Sequence, residues 1–226
     1  MSVPIGHDRA MMLRALREQV ATASRRLAAE GLVLGTAGNV SARQGDLIAI
    51  TPTGARLADL RAELITVIDP GGEVVEGTFA PTSELDLHLG VYRRYRAGAV
   101  VHTHAPMATA LSLVLDELPC VHYQLMELGG TVPVAPYRTF GTTELAEAVL
   151  AALDGRTAAL MANHGGITHG PDLDAALSRT LLLEWGCELY WRAATLGVPR
   201  TLDRAQRADY ERQVAAKAYG TVRRLP

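Results

Sequence analysis

The chain has almost no lysine. It carries 22 basic residues among its 226, and Lys217 is the only lysine among them. A Schiff-base mechanism and a pyridoxal cofactor both require an amine nucleophile. With a single candidate amine near the C-terminus, we do not expect covalent lysine chemistry.

Cysteines and long apolar runs are also scarce. Cys120 and Cys187 are the two cysteines, and they lie far apart outside any CxxC motif. This indicates buried thiols rather than a disulfide. The longest apolar stretch, around 105–115, is too short to cross a bilayer, and charges interrupt every apolar run in the first twenty residues. We therefore expect a cytoplasmic protein with neither a membrane span nor a signal peptide.

The charge balance is close to neutral. The formal net charge is −2 and the sequence pI is about 6.4, which favours neither nucleic acid nor an anionic membrane surface as a partner. Hydrophobic residues make up 48% and charged residues 20%, enough apolar side chains for a sizeable core. The length suits one domain over 1–226.

Helical and extended patterns alternate along the chain. Apolar spacing predicts helices over 8–30, 81–95, 107–115, 142–153, 171–197 and 203–219. Extended segments are predicted over 35–43, 46–54, 64–77 (a hairpin), 97–106, 130–137 and 157–167, the last running into a glycine-rich loop. Thr82 or Ser83 is placed to cap the second helix. We predict a single three-layer α/β/α domain with a mixed, largely antiparallel central sheet.

The motif VVHTHAP brings two histidines to one strand end. Residues i and i+2 of a strand point to the same face, so His102 and His104 present two imidazoles together. Neutral imidazoles at such spacing suit Zn²⁺. An isolated HxH is more often a pair of ordinary histidines at a sheet edge, so this motif alone does not establish a metal site.

A third histidine follows another apolar strand. His164 comes after TAALMA and before two glycines, a place where α/β proteins carry functional groups. Alone it would be an ordinary loop histidine. With the HxH pair it completes three imidazoles, the number that a catalytic zinc commonly takes from protein while keeping one position open.

A glutamate in PTSE has three possible roles. Glu84 lies in the first turn of a predicted helix, where the helix dipole favours an anion. It could be a fourth metal ligand, a general base, or both, and its ordinary role would be to help the helix start. His88 lies one turn further on the same face, and we interpret it as a supporting or structural residue.

Three short elements could bind an anion. The loop GTAGN ends at Asn39, the turn TPTG offers Thr53 and Gly54, and Thr82 and Ser83 offer hydroxyls at a helix N-terminus. Each alone is usually just a turn. Together beside a metal they would form a phosphate pocket without lysine.

Several motifs in order resemble the class II aldolase/adducin family, most closely its branch that acts on L-fuculose 1-phosphate. They are GTAGNVSAR, ITPTG, PTSELDLH, VVHTHA, the HY of VHYQ, GGTVPVAPYRTFGTTEL, NHGG and KAYG. The resemblance covers most of the chain. The threonine of PTSE stands where a double serine is usual, and a hydroxyl is kept.

The resemblance implies a site and an assembly. It implies one zinc, or another divalent metal, per subunit, with ligands Glu84, His102, His104 and His164. It implies that the substrate phosphate is held by Asn39, Thr53, Gly54, Thr82 and Ser83. It suggests Tyr123 as a proton donor that reaches into a neighbouring subunit's site, in a homotetramer with sites at subunit contacts.

The implied reaction is the retro-aldol cleavage of a ketose 1-phosphate to dihydroxyacetone phosphate and a short aldehyde. The substrate would be L-fuculose 1-phosphate or a related deoxy-ketose 1-phosphate. Sugar-phosphate 4-epimerases share the histidines but carry aspartate where Glu84 stands, and sugar-acid phosphate decarboxylases share the metal site. A non-catalytic adducin-like interaction module would need the fold without the metal.

Overall fold

The computed structural model describes residues 5–217, within which nine strands form one sheet in the order β4-β3-β2-β1-β5-β9-β8-β7-β6. The strands are β1 (Asn39–Gln44), β2 (Leu47–Ile50), β3 (Thr66–Ile68), β4 (Val74–Glu76), β5 (Ala99–Thr103), β6 (Glu117–Leu118), β7 (Val132–Ala135), β8 (Ala158–Met161) and β9 (Gly165–Gly170). Neighbouring strands are antiparallel except for the parallel pair β7 and β8.

Helices cover both faces of the sheet. They are α1 (Ile5–Ala29), α2 (Leu85–Arg94), α3 (Pro106–Ser112), α4 (Thr143–Ala152), α5 (Leu173–Leu196) and α6 (Arg204–Lys217), with 3-10 turns at Leu57–Asp59, Ala62–Leu64 and Tyr123–Leu128. None of those in the described range is both long and apolar enough to span a bilayer.

Two hydrophobic cores sandwich the sheet. Along β5 the buried side chains alternate, so that Val101 packs in the core with α1, α3 and α5, and Val100 packs in the core with α2 and α4. This arrangement confirms the predicted three-layer domain with a mixed, largely antiparallel sheet.

The predicted cap of the helix over 81–95 is wrong. The N-cap position of α2 is Glu84, and its side chain makes no capping hydrogen bond. Thr82 instead donates its backbone N–H to the Thr51 carbonyl at 3.0 Å. That bond holds Thr82 next to the Pro52–Pro81 bridge, where its hydroxyl accepts the Glu84 N–H at 3.3 Å, and the helix begins three residues after Thr82.

The segment predicted as one strand over 157–167 is a hairpin of two strands. β8 turns through Asn163, which has a positive φ of 58°, directly into β9. The glycines of NHGG therefore start a strand rather than a loop. A Cβ at Gly165 would lie 2.2 Å from the Thr103 carbonyl oxygen, so close packing against β5 explains the glycine. Strand β6 and the turn Tyr123–Leu128 were also not predicted. Tyr219, which belongs to the predicted helix over 203–219 and to the motif KAYG, lies outside the described residues.

The register around β5 determines where the histidines meet. β5 lies between β1 and β9, with Asn39 opposite His102 on one side and Thr103 opposite Gly166 on the other. Because β9 is antiparallel to β5, its first residues lie beside the last residues of β5. His164, in the turn before β9, is thereby brought next to the HxH pair.

The tight packing at the other end of β5 offers a test of how β5 and β9 are arranged. A Cβ at Gly98 would lie 1.9 Å from the Pro171 carbonyl oxygen. We expect Gly98→Ala to lower the free energy of unfolding by about 1–3 kcal/mol, the usual cost of overpacking. Gly71→Ala is the control, since a Cβ there would meet the Asp69 side chain, with its oxygen at 3.0 Å, and no backbone atom. Equal chemical denaturation midpoints for the two variants would contradict the packing.

Candidate functional site

Three imidazoles converge at the end of β5. One ring nitrogen from each of His102, His104 and His164 lies within 4.8 Å of the others. The Nε2 atoms of His102 and His104 are 3.1 Å apart, and the ring centroids of all three pairs are separated by 4.8–4.9 Å. The rings meet nearly edge to face, so their nitrogens rather than their faces point at a common place.

The tautomer of His102 is fixed by the backbone. Its Nδ1 lies 2.9 Å from the Gly166 carbonyl oxygen, which can only accept a hydrogen bond. Nδ1 therefore carries the proton, and in the neutral ring the lone pair is on Nε2, facing the cluster. Such a backbone bond is the usual way to orient a metal-binding imidazole.

A buried carboxylate faces the imidazoles. Glu84 Oε2 lies 3.1 Å from His102 Nε2 and accepts a hydrogen bond from Asn39 Nδ2 at 3.0 Å. Glu84 Oε1 is buried 3.5 Å from His164 Nε2 and accepts no hydrogen bond from any described residue. A buried carboxylate oxygen in this condition requires a cation for its stabilisation.

The ionisation of the cluster favours one shared positive charge. Burial opposes charge on both Glu84 and His102, but their mutual attraction and hydrogen bonds outweigh it, so the pKa of Glu84 is lowered and that of His102 is raised. Burial, followed by repulsion from a charged His102, lowers the pKa of His104 and of His164 to about 4. At neutral pH these two rings keep their lone pairs available for a ligand bond.

These side chains fit a divalent metal ion. Tetrahedral Zn–N bonds of roughly 2.0–2.1 Å place ligand nitrogens about 3.3 Å apart, close to the 3.1 Å between the His102 and His104 nitrogens. The unsatisfied Glu84 oxygen supplies negative charge at the same place. A dication would replace the single proton that the pair of His102 and Glu84 otherwise shares.

The two hydroxyl-bearing loops lie side by side next to the histidines. A β-bridge joins Pro52 to Pro81, and Thr53 donates its N–H to the Ala80 carbonyl at 3.1 Å. The turn TPTG and the segment PTSE are thus held together by backbone bonds. This explains how motifs some thirty positions apart contribute to one pocket.

A single cavity of about 160 Å³ collects most of the predicted residues. It is lined by Thr36, Ala37, Gly38, Asn39, Pro52, Thr53, Gly54, Thr82, Ser83, Glu84, His104, Phe140 and His164. All five predicted phosphate contacts are in that set. The fully buried His102 ring lies behind it.

Phe140 was not selected from the sequence, although its motif was part of the family resemblance. Phe140 lines the cavity and is 66% exposed, a high value for a large apolar side chain. The next residue, Gly141, has φ 71°, and a Cβ there would lie 2.9 Å from the Ser83 carbonyl oxygen. The loop that carries Phe140 is therefore packed directly on the PTSE segment.

Tyr123 does not line this cavity. It starts the 3-10 turn Tyr123–Leu128, is 39% exposed, and packs its ring against His122 at 4.4 Å and Tyr210 at 5.5 Å. A role for Tyr123 in its own subunit's site has no support from this position.

Comparisons with known proteins agree with the fold and show the family. The model of the Class II Aldolase and Adducin N-terminal domain matches residues 18–191. The chain belongs to this family. The resemblance inferred from the sequence motifs is thereby confirmed, and so is the prediction of a class II aldehyde-lyase.

Three relatives show how far the likeness extends. A 5-methylthioribulose-1-phosphate/5-deoxyribulose-1-phosphate aldolase of Rhodospirillum rubrum is 41% identical over 216 residues, covering 94% of this chain and 96% of the relative. An L-fuculose phosphate aldolase of Escherichia coli is 43% identical over 162 residues, covering 71% of this chain and 75% of the relative. The solved structure of an L-fuculose 1-phosphate aldolase superposes with a TM-score of 0.85 at 32% identity. The superposition covers 89% of this chain and 96% of that structure.

The imidazole cluster leads to a direct test of metal binding. We expect His104→Gln to bind Zn²⁺ at least about 100-fold more weakly, since even supporting residues of metal sites cost 10–100-fold. His169→Gln is the matched control, because His169 is also buried but bonds the Arg156 carbonyl away from the cluster. Metal analysis after dialysis measures both. Equal zinc content in the two variants would contradict the cluster as the metal site.

Proposed function

We propose that the protein catalyses zinc-dependent retro-aldol cleavage of a ketose 1-phosphate, releasing dihydroxyacetone phosphate and a short aldehyde. The observation that carries the proposal is the shared cavity: the hydroxyl loops, Glu84, His104 and His164 all line one space. A phosphate held by the loops would place the adjoining carbons of the substrate beside the carboxylate and the imidazoles.

The preferred substrates are 5-deoxypentulose 1-phosphates. The Rhodospirillum rubrum relative, which matches almost the full length of the chain, is named for 5-methylthioribulose 1-phosphate and 5-deoxyribulose 1-phosphate. The Escherichia coli relative, which matches a shorter part, is named for L-fuculose phosphate. Cleavage of a 5-deoxypentulose 1-phosphate gives acetaldehyde, and L-fuculose 1-phosphate gives lactaldehyde.

The metal would be held by His102, His104 and His164, with Glu84 as a fourth ligand in its resting state. When bound there, zinc supplies Lewis-acid stabilisation of the negative charge that develops on the three-carbon fragment. The freed Glu84 carboxylate would transfer the proton at the carbon that becomes nucleophilic, acting as general base and acid in turn. Its buried position beside the histidines suits both duties.

The phosphate would be held without a cationic side chain. Among the residues that line the cavity there is neither lysine nor arginine. The Thr53, Thr82 and Ser83 hydroxyls, the Asn39 amide and the backbone N–H groups of the glycine turns would supply the donors. Neutral donors hold a phosphate in a defined orientation and leave the metal as the main positive charge nearby.

The active assembly is a homotetramer in which subunits complete each other's sites. The cavity of about 160 Å³ is smaller than the ~300–1,000 Å³ usual for small-molecule sites, so a single chain encloses only part of such a substrate. Tyr123 lies outside that cavity, between His122, which contacts the exposed Trp185, and the half-buried Tyr210. From there it would reach a neighbour's site and exchange a proton with the aldehyde oxygen.

An assay of dihydroxyacetone phosphate release tests the function. We expect cleavage of 5-deoxyribulose 1-phosphate that a chelator abolishes and zinc restores. Glu84→Gln should lower kcat by about 10²–10⁴-fold, the usual contribution of general acid–base catalysis. Glu144→Gln is the matched control, since Glu144 also lies at the start of a helix but is exposed on α4. Chelator-resistant cleavage, or equal rates in both variants, would contradict the mechanism.

Complementation between subunits tests the role of Tyr123. We expect Tyr123→Phe to retain zinc and to slow turnover at least about tenfold, because the proton donor is lost. Co-expression with Glu84→Gln should restore part of the activity, since some mixed sites then combine an intact Glu84 with an intact Tyr123 from a neighbour. Mixed assemblies no more active than either variant alone would rule out a contribution from the neighbouring subunit.

A further inference from the structure

A chain of buried polar side chains leads away from Glu84 into the layer between the sheet and α2. Asn39 and Ser41 are two residues apart on β1, and His88 and Tyr92 are four residues apart on α2, so each pair shares one face of its element. All four side chains are at most 5% exposed. This polar line crosses an otherwise apolar core.

Each member bonds the next at short distance. Tyr92 Oη lies 2.7 Å from Ser41 Oγ, which lies 2.7 Å from His88 Nδ1. His88 Nε2 lies 2.5 Å from Asn39 Oδ1, and Asn39 Nδ2 donates to Glu84 Oε2 at 3.0 Å. The line is continuous from Tyr92 to the carboxylate at the active site.

The carboxylate at the end of the line sets the direction of donation, because Glu84 accepts from the Asn39 NH₂ group and the Asn39 carbonyl therefore faces His88. The Asn39 carbonyl can only accept, so His88 Nε2 carries a proton and donates it. Burial, followed by repulsion from a charged His102, lowers the pKa of His88 to about 3, so the ring is neutral and its Nδ1 accepts. Ser41 then donates its one proton to Nδ1 and accepts from Tyr92. Every hydrogen bond in the line runs toward Glu84.

We propose that His88 is a positioning residue that locks the Asn39 amide with its NH₂ group toward Glu84 and the cavity. The inference rests on the proposed function for its kinetic consequence. With the amide reversed, the Asn39 carbonyl would face the Glu84 carboxylate, and two electron-rich oxygens would oppose each other in a low-dielectric interior. On the other side of the amide, the Nε2–H of His88 holds the Asn39 carbonyl, so both neighbours of the amide favour the same orientation.

The orientation of the Asn39 amide affects both Glu84 and the proposed phosphate pocket. Asn39 lines the cavity and bonds the carboxylate, so its orientation affects the hydrogen-bonding of Glu84 and the donor offered to a substrate phosphate. His88 touches neither the substrate cavity nor the metal-binding nitrogens. Its effect on catalysis therefore passes through Asn39.

The kinetic test compares two replacements of His88. His88→Phe keeps a ring but removes both nitrogens, while His88→Gln keeps a donor where Nε2 lies. We expect the Phe variant to lose about tenfold in kcat, equivalent to about 1.4 kcal/mol, and to bind inorganic phosphate, used as a probe of the cavity, several-fold more weakly. The Gln variant should recover most of the wild-type kcat and most of the wild-type affinity for phosphate. Zinc content should stay that of the wild type in each.

His169→Phe is the matched control. His169 is also buried, stacks on Tyr95 and lies at the other end of the sheet from the cluster. We expect wild-type kcat in this variant. If His88→Phe retains wild-type kcat and phosphate affinity, or if His88→Gln is as slow as His88→Phe, the positioning role is overturned.

A spectroscopic readout separates this inference from the proposed reaction. Imidazole ¹⁵N chemical shifts, assigned to His88 by their loss in His88→Gln, should show the Nε2–H tautomer in the resting protein at neutral pH. An Nδ1–H tautomer would overturn the inference whatever the enzyme cleaves. If the wild type cleaves no ketose 1-phosphate, the proposed substrate class fails while the tautomer still tests the positioning role.

Discussion

A carboxylate and three imidazoles share a buried space in which positive charge must be present. Glu84 is 6% exposed, one of its oxygens accepts no hydrogen bond from the described chain, and His102 beside it is fully buried. A protein would not keep an unpaired carboxylate there without compensation, because desolvation of an isolated charge costs several kcal/mol. The surrounding structure, from the register of β5 to the tautomer of His102, makes that compensation available as a metal site.

The identity of the residues that converge could be predicted from the sequence. The strand geometry that brings them together could not. His102 and His104 could be paired from strand periodicity alone, and His164 was noticed because it follows an apolar strand. The hairpin that brings His164 to them was missed. Its turn depends on Asn163 adopting a left-handed conformation, and its start depends on how closely Gly165 approaches a neighbouring strand. Both are tertiary constraints that a linear pattern does not show.

Other parts of the site were out of reach for a similar reason. Phe140 has no chemistry that marks it in a sequence, and it enters the cavity only because Gly141 lets its loop rest on Ser83. His88 shares a helix face with Glu84, which was visible, but its partners on β1 were not. The predicted helix cap was wrong because a backbone hydrogen bond ties Thr82 to Thr51, just after β2. In each case a contact between distant segments decided the outcome.

The shortage of lysine agrees with the chemistry of the site. In the proposed function, hydroxyls, an amide and backbone groups bind the phosphate, so positive charge in the cavity is left to the metal. The central claim is therefore that three imidazoles bind one ion. X-ray absorption spectroscopy of the zinc-loaded protein measures this directly. The account predicts a first shell of nitrogen and oxygen with the multiple-scattering signature of three imidazoles, and a shell containing sulfur or fewer than three imidazoles would contradict it.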